Sequence, residues 1–336
     1  MTRGGRFVLG SKGLSCFLQG RPNTFLVRWL PLCLSRAYLG LLGRLYYALN
    51  RHERELIRAN LDAVLRRIPA GAPLDPVACQ AFQGIFAHYS EKLITAYARA
   101  EKVYRFVEER VEFQAENLLV EAFSRGRGVI LVTSHFGGVE FMPVILARKG
   151  YPVTMVVRFK TERLKRALVP RGEVLGITLL DAGGGNGVLF TALDSLKANQ
   201  ILITECDEFE GWRPTPKRSA QFLGYSCPMD RTLGLLHRRS RAPVLMALNR
   251  RVTASRYQLK FHDLNAPEPG LESEDIQQRA LRMLEQYICD APGQWYQWKN
   301  LRTIFGSQLF GSETEEPCFT VETGGLPAAT GSAWGS

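Results

Sequence analysis

No part of this 336-residue chain stays apolar for the ~18 residues that a membrane-spanning helix needs. Its most hydrophobic segment, TFLVRWLPLCLSRAYLGLLGRLYYALN (24–50), is interrupted by Arg28, Arg36 and Arg44. An ordinary span and a cleaved signal peptide are therefore not expected. The seven cysteines are scattered, with no C-x-x-C and no Cys/His spacing suited to zinc. A disulfide framework and a structural metal are not expected, and the thiols read as those of a cytoplasmic protein. Internal repeats are lacking too. No basic residue follows Arg302, and the Gly-, Ser-, Thr- and Glu-rich stretch 306–336 reads as a disordered tail. Acidic residues are in deficit, 32 against 43 Lys plus Arg, for a net charge of +11. Such a surface attracts anions, whether phosphorylated substrates, an acidic carrier protein or an anionic membrane. Aromatic residues are not interleaved with the basic runs as base-stacking platforms require, so no nucleic-acid partner is expected.

With 46% hydrophobic residues, the chain can bury a large core. At ~100° per residue, the three arginines of 24–50 occupy less than half of a helix circumference. That pattern predicts a membrane-associating helix lying in the interface, its arginines toward headgroups. Residues 1–23 read as a flexible N-terminus. ERELIRANLDAVLRRI (53–68) is an amphipathic helix, AGAPLDP breaks it, and a helical pattern resumes over 77–100.

Beyond residue 115 the period changes. Short β-rich runs appear at 128–134, 153–157, 176–181, 201–205, 243–249 and 256–262, with helix-length connections between several of them. Strands apolar on both faces and joined in this way predict an α/β fold, a central mostly parallel sheet flanked by helices. A last helix is predicted over 273–290 with Ser273 as N-cap.

The run LVTSHFGGVEF (131–141) ends in a histidine, two glycines and a glutamate. On one continuous helix, His135 and Glu140 would point ~140° apart. A strand ending near Ser134, a turn at Gly137-Gly138 and a helix from about Val139 would instead let both side chains meet at the carboxyl edge of the sheet. An imidazole oriented by a carboxylate takes a proton from a substrate hydroxyl. DAGGGNG (181–187) lacks the Lys-Ser/Thr of a nucleotide loop and reads as a mobile loop near the site. His52, His88, His237 and His262 stand in no motif. Trp295 and Trp298 read as packing residues.

Several landmarks accompany the motif in order: RHERELIRANLDAVLRRIP, GRGVILVTSHFGGVEF, VVRFKTERLKRALVPRGEVLGITLLD, ILITECDEFEGW and APGQWYQWKN. Together they resemble the bacterial lipid A biosynthesis lauroyl/myristoyl acyltransferase family, within the lysophospholipid acyltransferase-like group, over about residues 25–305. The resemblance implies an acyltransferase domain at 51–305, held at the cytoplasmic face of the inner membrane. It would move a fatty acyl chain from an acyl carrier protein or coenzyme A thioester to a hydroxyl of a lipid A precursor or related lipid. No cofactor or metal is implied. His135 would be the base and Glu140 its orienting partner, with Arg158, Arg171 and Asp207 toward substrate. The chain departs from the family pattern at Gly137-Gly138-Val139, where members carry Gly-Asn-Trp, and at Arg158-Phe159, where they carry Arg-Pro. The competing reading is a noncatalytic basic protein that binds a membrane or nucleic acid.

Overall fold

A computed structural model describes residues 17–67, 74–159, 162–183, 187–209, 214–265 and 274–306. The sequence expectations for the start of the chain and for the tail beyond 306 fall largely outside them, as do Ser273 and Gly184–Asn186 of the glycine-rich loop.

The N-terminal third is helical: α1 (Arg21–Trp29), α2 (Leu32–Leu49), α3 (Arg51–Leu65), α4 (Leu74–Tyr97) and α5 (Ala100–Arg110). Residues 24–50, expected as one helix, divide into α1 and α2. Leu30 adopts an extended conformation (ψ 151°) before Pro31, whose ring disfavours helical geometry in the residue preceding it. The outer face of α2 carries Leu34, Leu41, Leu45 and Leu49, each more than half exposed, on one stripe with Ala37 and Ala48. Its inner face buries Ser35, Leu39 and Gly43. Among the described residues no helix is long and apolar enough to cross a membrane.

The seven-stranded sheet comprises β1 (Val111–Gln114), β2 (Val129–Thr133), β3 (Val153–Val157), β4 (Ile177–Asp181), β5 (Ile201–Glu205), β8 (Val244–Thr253) and β9 (Arg256–Asp263). Its order is β1-β9-β8-β2-β5-β3-β4, and every pairing is parallel except the β8–β9 hairpin. A separate antiparallel ribbon, β6 (Pro214–Phe222) and β7 (Tyr225–Asp230), lies between β5 and β8 in the chain. The remaining helices are α6 (Glu116–Ser124), α7 (Met142–Arg148), α8 (Glu162–Leu175), α9 (Gly187–Lys197), α10 (Thr232–Ser240), α11 (Ile276–Asp290) and α12 (Leu301–Phe305). Asp275 caps α11 by accepting from the Gln277 N–H at 2.9 Å.

Alternation along the strands divides the core. Ile130 and Val132 of β2 and Leu202 of β5 point into the layer formed by α3, α9, α10 and α11, whereas Val129, Leu131, Ile201 and Ile203 point into the layer of α5 and α7. Every residue of β2 is fully or almost fully buried. The central strand is thus a rigid post. It holds Ser134 and His135, the two residues after its end, at the carboxyl edge of the sheet, where open α/β sheets place ligands.

Candidate active site

His135 lies two residues past β2, and the corner after it is built by distant chain. Gly137 has φ +58° and packs so closely on β8 that a Cβ there would lie 2.0 Å from the Asn249 carbonyl oxygen, so only glycine fits. The Gly137 N–H donates to Gln294 O (2.9 Å), the Gly138 N–H to Asn249 O (2.7 Å), and the Tyr296 N–H to His135 O (3.1 Å). The Pro292–Trp298 segment is therefore part of the site, clamped on it as a short bridge between Phe136 and Trp295. Behind the corner, the Arg251 guanidinium donates to Gly137 O (2.6 Å) and pairs with the buried Glu91 through Nε (2.6 Å) and Nη2 (3.0 Å). Glu91 also accepts from the Tyr257 hydroxyl at 2.8 Å.

The carboxylate on the imidazole is Asp207, just beyond β5. Its Oδ1 lies 2.9 Å from His135 Nδ1, its two oxygens receive the His135 backbone N–H (3.0 and 3.1 Å), and Oδ2 accepts from Trp295 Nε1 (2.8 Å). Asp207 is wholly buried, with no face toward solvent or substrate. The other ring nitrogen, Nε2, is 3.4 Å from Glu205 Oε2 and 3.4 Å from Glu208 Oε2. Burial disfavours a charged ring, yet the carboxylates of Glu205, Asp207 and Glu208 outweigh it and hold the His135 pKa at about 9. Burial raises Glu205 to about 7, with the His135 ring opposing and the neighbouring carboxylates adding to the rise. Among the described residues His135, Glu205 and Glu208 also place one ligand atom each within 4.8 Å of one another, a spacing that a divalent cation would bridge. The cation would occupy Nε2, the ring nitrogen that Asp207 leaves free.

Glu140 does not reach His135. It sits on a single 3-10 turn (Val139–Phe141) leading into α7, and its Oε1 lies 3.2 Å from Lys92 Nζ and 3.5 Å from His88 Nε2, both on α4. Gly137 and Gly138 are spent fitting the corner against Asn249 and Tyr257, which turns residue 140 toward α4. Tyr296 stands between the two groups, stacked on His88 (centroids 3.6 Å apart) and edge-on to His135 (4.7 Å). Fully buried beside Lys92, His88 has its pKa pushed well below the usual range by desolvation and then by that ammonium, so it is neutral. The expected His135–Glu140 contact is thus replaced by two separate clusters.

Of the remaining expected site residues, Arg158 lines a cavity, whereas Arg171 donates to Thr95 O (2.9 Å) and Ala98 O (2.6 Å) and holds the end of α4. The cavity, about 470 Å³, has mostly apolar walls from Val132, Val156, Leu189, Ala192, Leu233 and Leu236. Its polar lining includes Glu205 and Glu208, the two residues on Nε2. Ala182, within the glycine-rich loop, and Val188, just after it, border it as well.

The sequence model of the family described as bacterial lipid A biosynthesis acyltransferase matches residues 21–302. The chain belongs to that family. An acyltransferase of lipid A biosynthesis uses an acyl donor and a lipid acceptor, so the site must bring an acyl carbonyl and an acceptor nucleophile together. No curated protein matches the chain. In this acyltransferase, sequence reasoning passed over Glu205, Glu208, His88 and Lys92. A signal for the first pair was present, since ILITE-C-D-E puts three acids within four residues at the end of a strand that pairs with β2.

Proposed function

We propose that the chain transfers a fatty acyl group from the thioester of an acyl carrier protein or coenzyme A to a hydroxyl of a lipid A precursor, with His135 as general base. The supporting observation is the pairing of a clamped imidazole with an apolar cavity. Asp207 takes Nδ1, and Nε2 is directed at two carboxylates that line about 470 Å³ of mostly apolar space, within the size range of small-molecule pockets.

Nε2 of neutral His135 takes the proton of the acceptor hydroxyl as the oxygen attacks the thioester carbonyl. The tetrahedral intermediate then collapses, the C–S bond breaks, and the leaving thiolate takes the proton back from the imidazolium. Asp207 fixes the ring and stabilises its charged form. Glu205, Asp207 and Glu208 together keep the resting ring protonated at neutral pH, so the base form grows in as pH rises. The acyl tail occupies the cavity walls, gaining about 0.8 kcal/mol for each methylene buried.

The protein acts at the cytoplasmic face of the inner membrane, resting on it through the leucine stripe of α2 together with Phe25 and Trp29 of α1, which are also more than half exposed. Exposed Arg28 and Arg44 lie beside these residues, as a helix in an anionic interface requires.

The test is a reaction of purified protein with acyl carrier protein thioester and lipid A precursor, followed by mass spectrometry. A product heavier by one acyl group, lost in His135→Ala, is expected. A His135→Ala protein with the wild-type rate would overturn the base assignment.

A further inference from the structure

The basic residues that follow β3 and those near α10 differ in what they are doing. Lys165 is paired with Asp181 (2.7 Å), Arg166 with Glu162 (3.9 Å), Arg218 with Asp275 (3.8 Å), and Arg163 donates to Gln19 O (2.6 Å). Arg158, Arg231 and Arg238 line the cavity and form no ion pair among the described residues. Arg158 follows β3, Arg231 precedes α10 and Arg238 lies on its last turn, so three separate points of the chain bring guanidinium groups to one space. Asp230 also lines it, and there accepts from Thr232 Oγ1 (3.0 Å).

An alkyl tail needs no cation. Three exposed guanidinium groups that line one cavity, none in a salt bridge with a described carboxylate, offer their donors to a ligand that carries concentrated negative charge. A phosphate matches the guanidinium fork in geometry and in charge. Glu205 and Glu208 share the cavity lining, so the anionic group must bind at the arginines and leave the uncharged reacting carbonyl to the His135 side.

We propose that Arg158, Arg231 and Arg238 form a phosphate-binding site for the substrate whose chain fills the cavity. This rests on the acyl-transfer reading. Two substrates of that reaction carry such a group: the donor, through the phosphate of a pantetheine arm, and the acceptor, through a phosphate on its lipid head.

The experiment compares matched ligands in the wild-type protein, in Arg231→Gln, Arg238→Gln and the double variant, and in Arg239→Gln, an exposed neighbour that does not line the cavity. Acyl-4′-phosphopantetheine is set against acyl-pantetheine, and phosphorylated against dephosphorylated acceptor lipid, reading KM in turnover and Kd by calorimetry. Wild type should favour the phosphorylated member of one pair, and each cavity variant should lower that preference by about threefold to tenfold, as for loss of a partly exposed charge-assisted hydrogen bond. Arg239→Gln should match wild type. A shift in the donor pair assigns the site to the pantetheine phosphate, and a shift in the acceptor pair assigns it to the lipid phosphate. Unchanged preference in both pairs overturns the proposal. Absence of acyl product with every pair would count against the acyl-transfer reading, while the calorimetric comparison still decides the phosphate site.

Discussion

Asp207 and His135, 72 residues apart in sequence, are joined twice: Oδ1 lies 2.9 Å from the ring Nδ1, and both carboxylate oxygens receive the His135 backbone N–H. With Trp295 Nε1 on Oδ2, the buried carboxylate accepts from three donors. An amide has one acceptor oxygen and an NH2 donor, so Asp207→Asn must either strand one of these donors or turn its NH2 to Nδ1 and force the ring proton onto Nε2. Acyl-transfer kcat should fall about 10²- to 10⁴-fold, the usual worth of a positioned base, and stability should fall by about 1–3 kcal/mol. Steady-state rates and thermal melts check both, and a variant retaining wild-type kcat would remove Asp207 from the mechanism.

The resting ring carries its proton up to about pH 9. A general base works only when neutral, so kcat/KM for the free protein should climb through neutrality and level off near that value. Glu205→Gln and Glu208→Gln each remove a negative charge that favours the imidazolium, so the limb should move to lower pH. Glu140→Gln should leave the limb where it is, because that carboxylate serves Lys92 and His88. A limb that tracks Glu140 and ignores Glu205 would reverse the assignment of the two clusters.

How far the sequence carries the site depends on where the information lies. Strands β2, β3 and β5 were legible to within a residue, because both faces of each are apolar and turn residues bound them. The four-residue β1 was not, since its one buried residue, Val111, gives no period; nor was the β6–β7 ribbon, which packs outside the main sheet. His135 was legible because an ionisable group ends a buried strand. Its partner was not, because nearness along the chain favoured Glu140, whereas the parallel β2–β5 pairing sets Thr133 beside Glu205 and so brings Asp207 under the ring. The break at Leu30-Pro31 was written in the sequence, and amphipathic periodicity over 24–50 masked it.

Glu91 and Arg251 form an ion pair with 3% and 11% side-chain exposure behind the Gly137 corner. Glu91→Ala strands a buried guanidinium, which typically costs about 3–5 kcal/mol. The melting temperature should drop by several degrees, and kcat should fall with it because the Gly137 carbonyl loses a rigid donor. A conservative Arg251→Lys keeps the charge but not the fork, so it should recover stability better than kcat. Equal recovery of both would mean that the pair only supports the fold.

Leu34, Leu41, Leu45 and Leu49 are 53%, 64%, 54% and 76% exposed on the outer face of α2, while Leu39 on the opposite face is fully buried. Outward leucines in water stabilise nothing, so replacing them should cost the fold little. Burying each in a bilayer interface is worth at most about 1.5–3 kcal/mol, and partial insertion delivers a fraction of that. Leu41→Ser with Leu45→Ser should therefore weaken binding to vesicles containing anionic lipid by one to two orders of magnitude, at an unchanged melting temperature. Raising the salt should weaken the wild-type protein further, through screening of Arg28 and Arg44. Sedimentation with vesicles measures both effects, and undiminished binding by the double variant would place the membrane contact elsewhere on the surface.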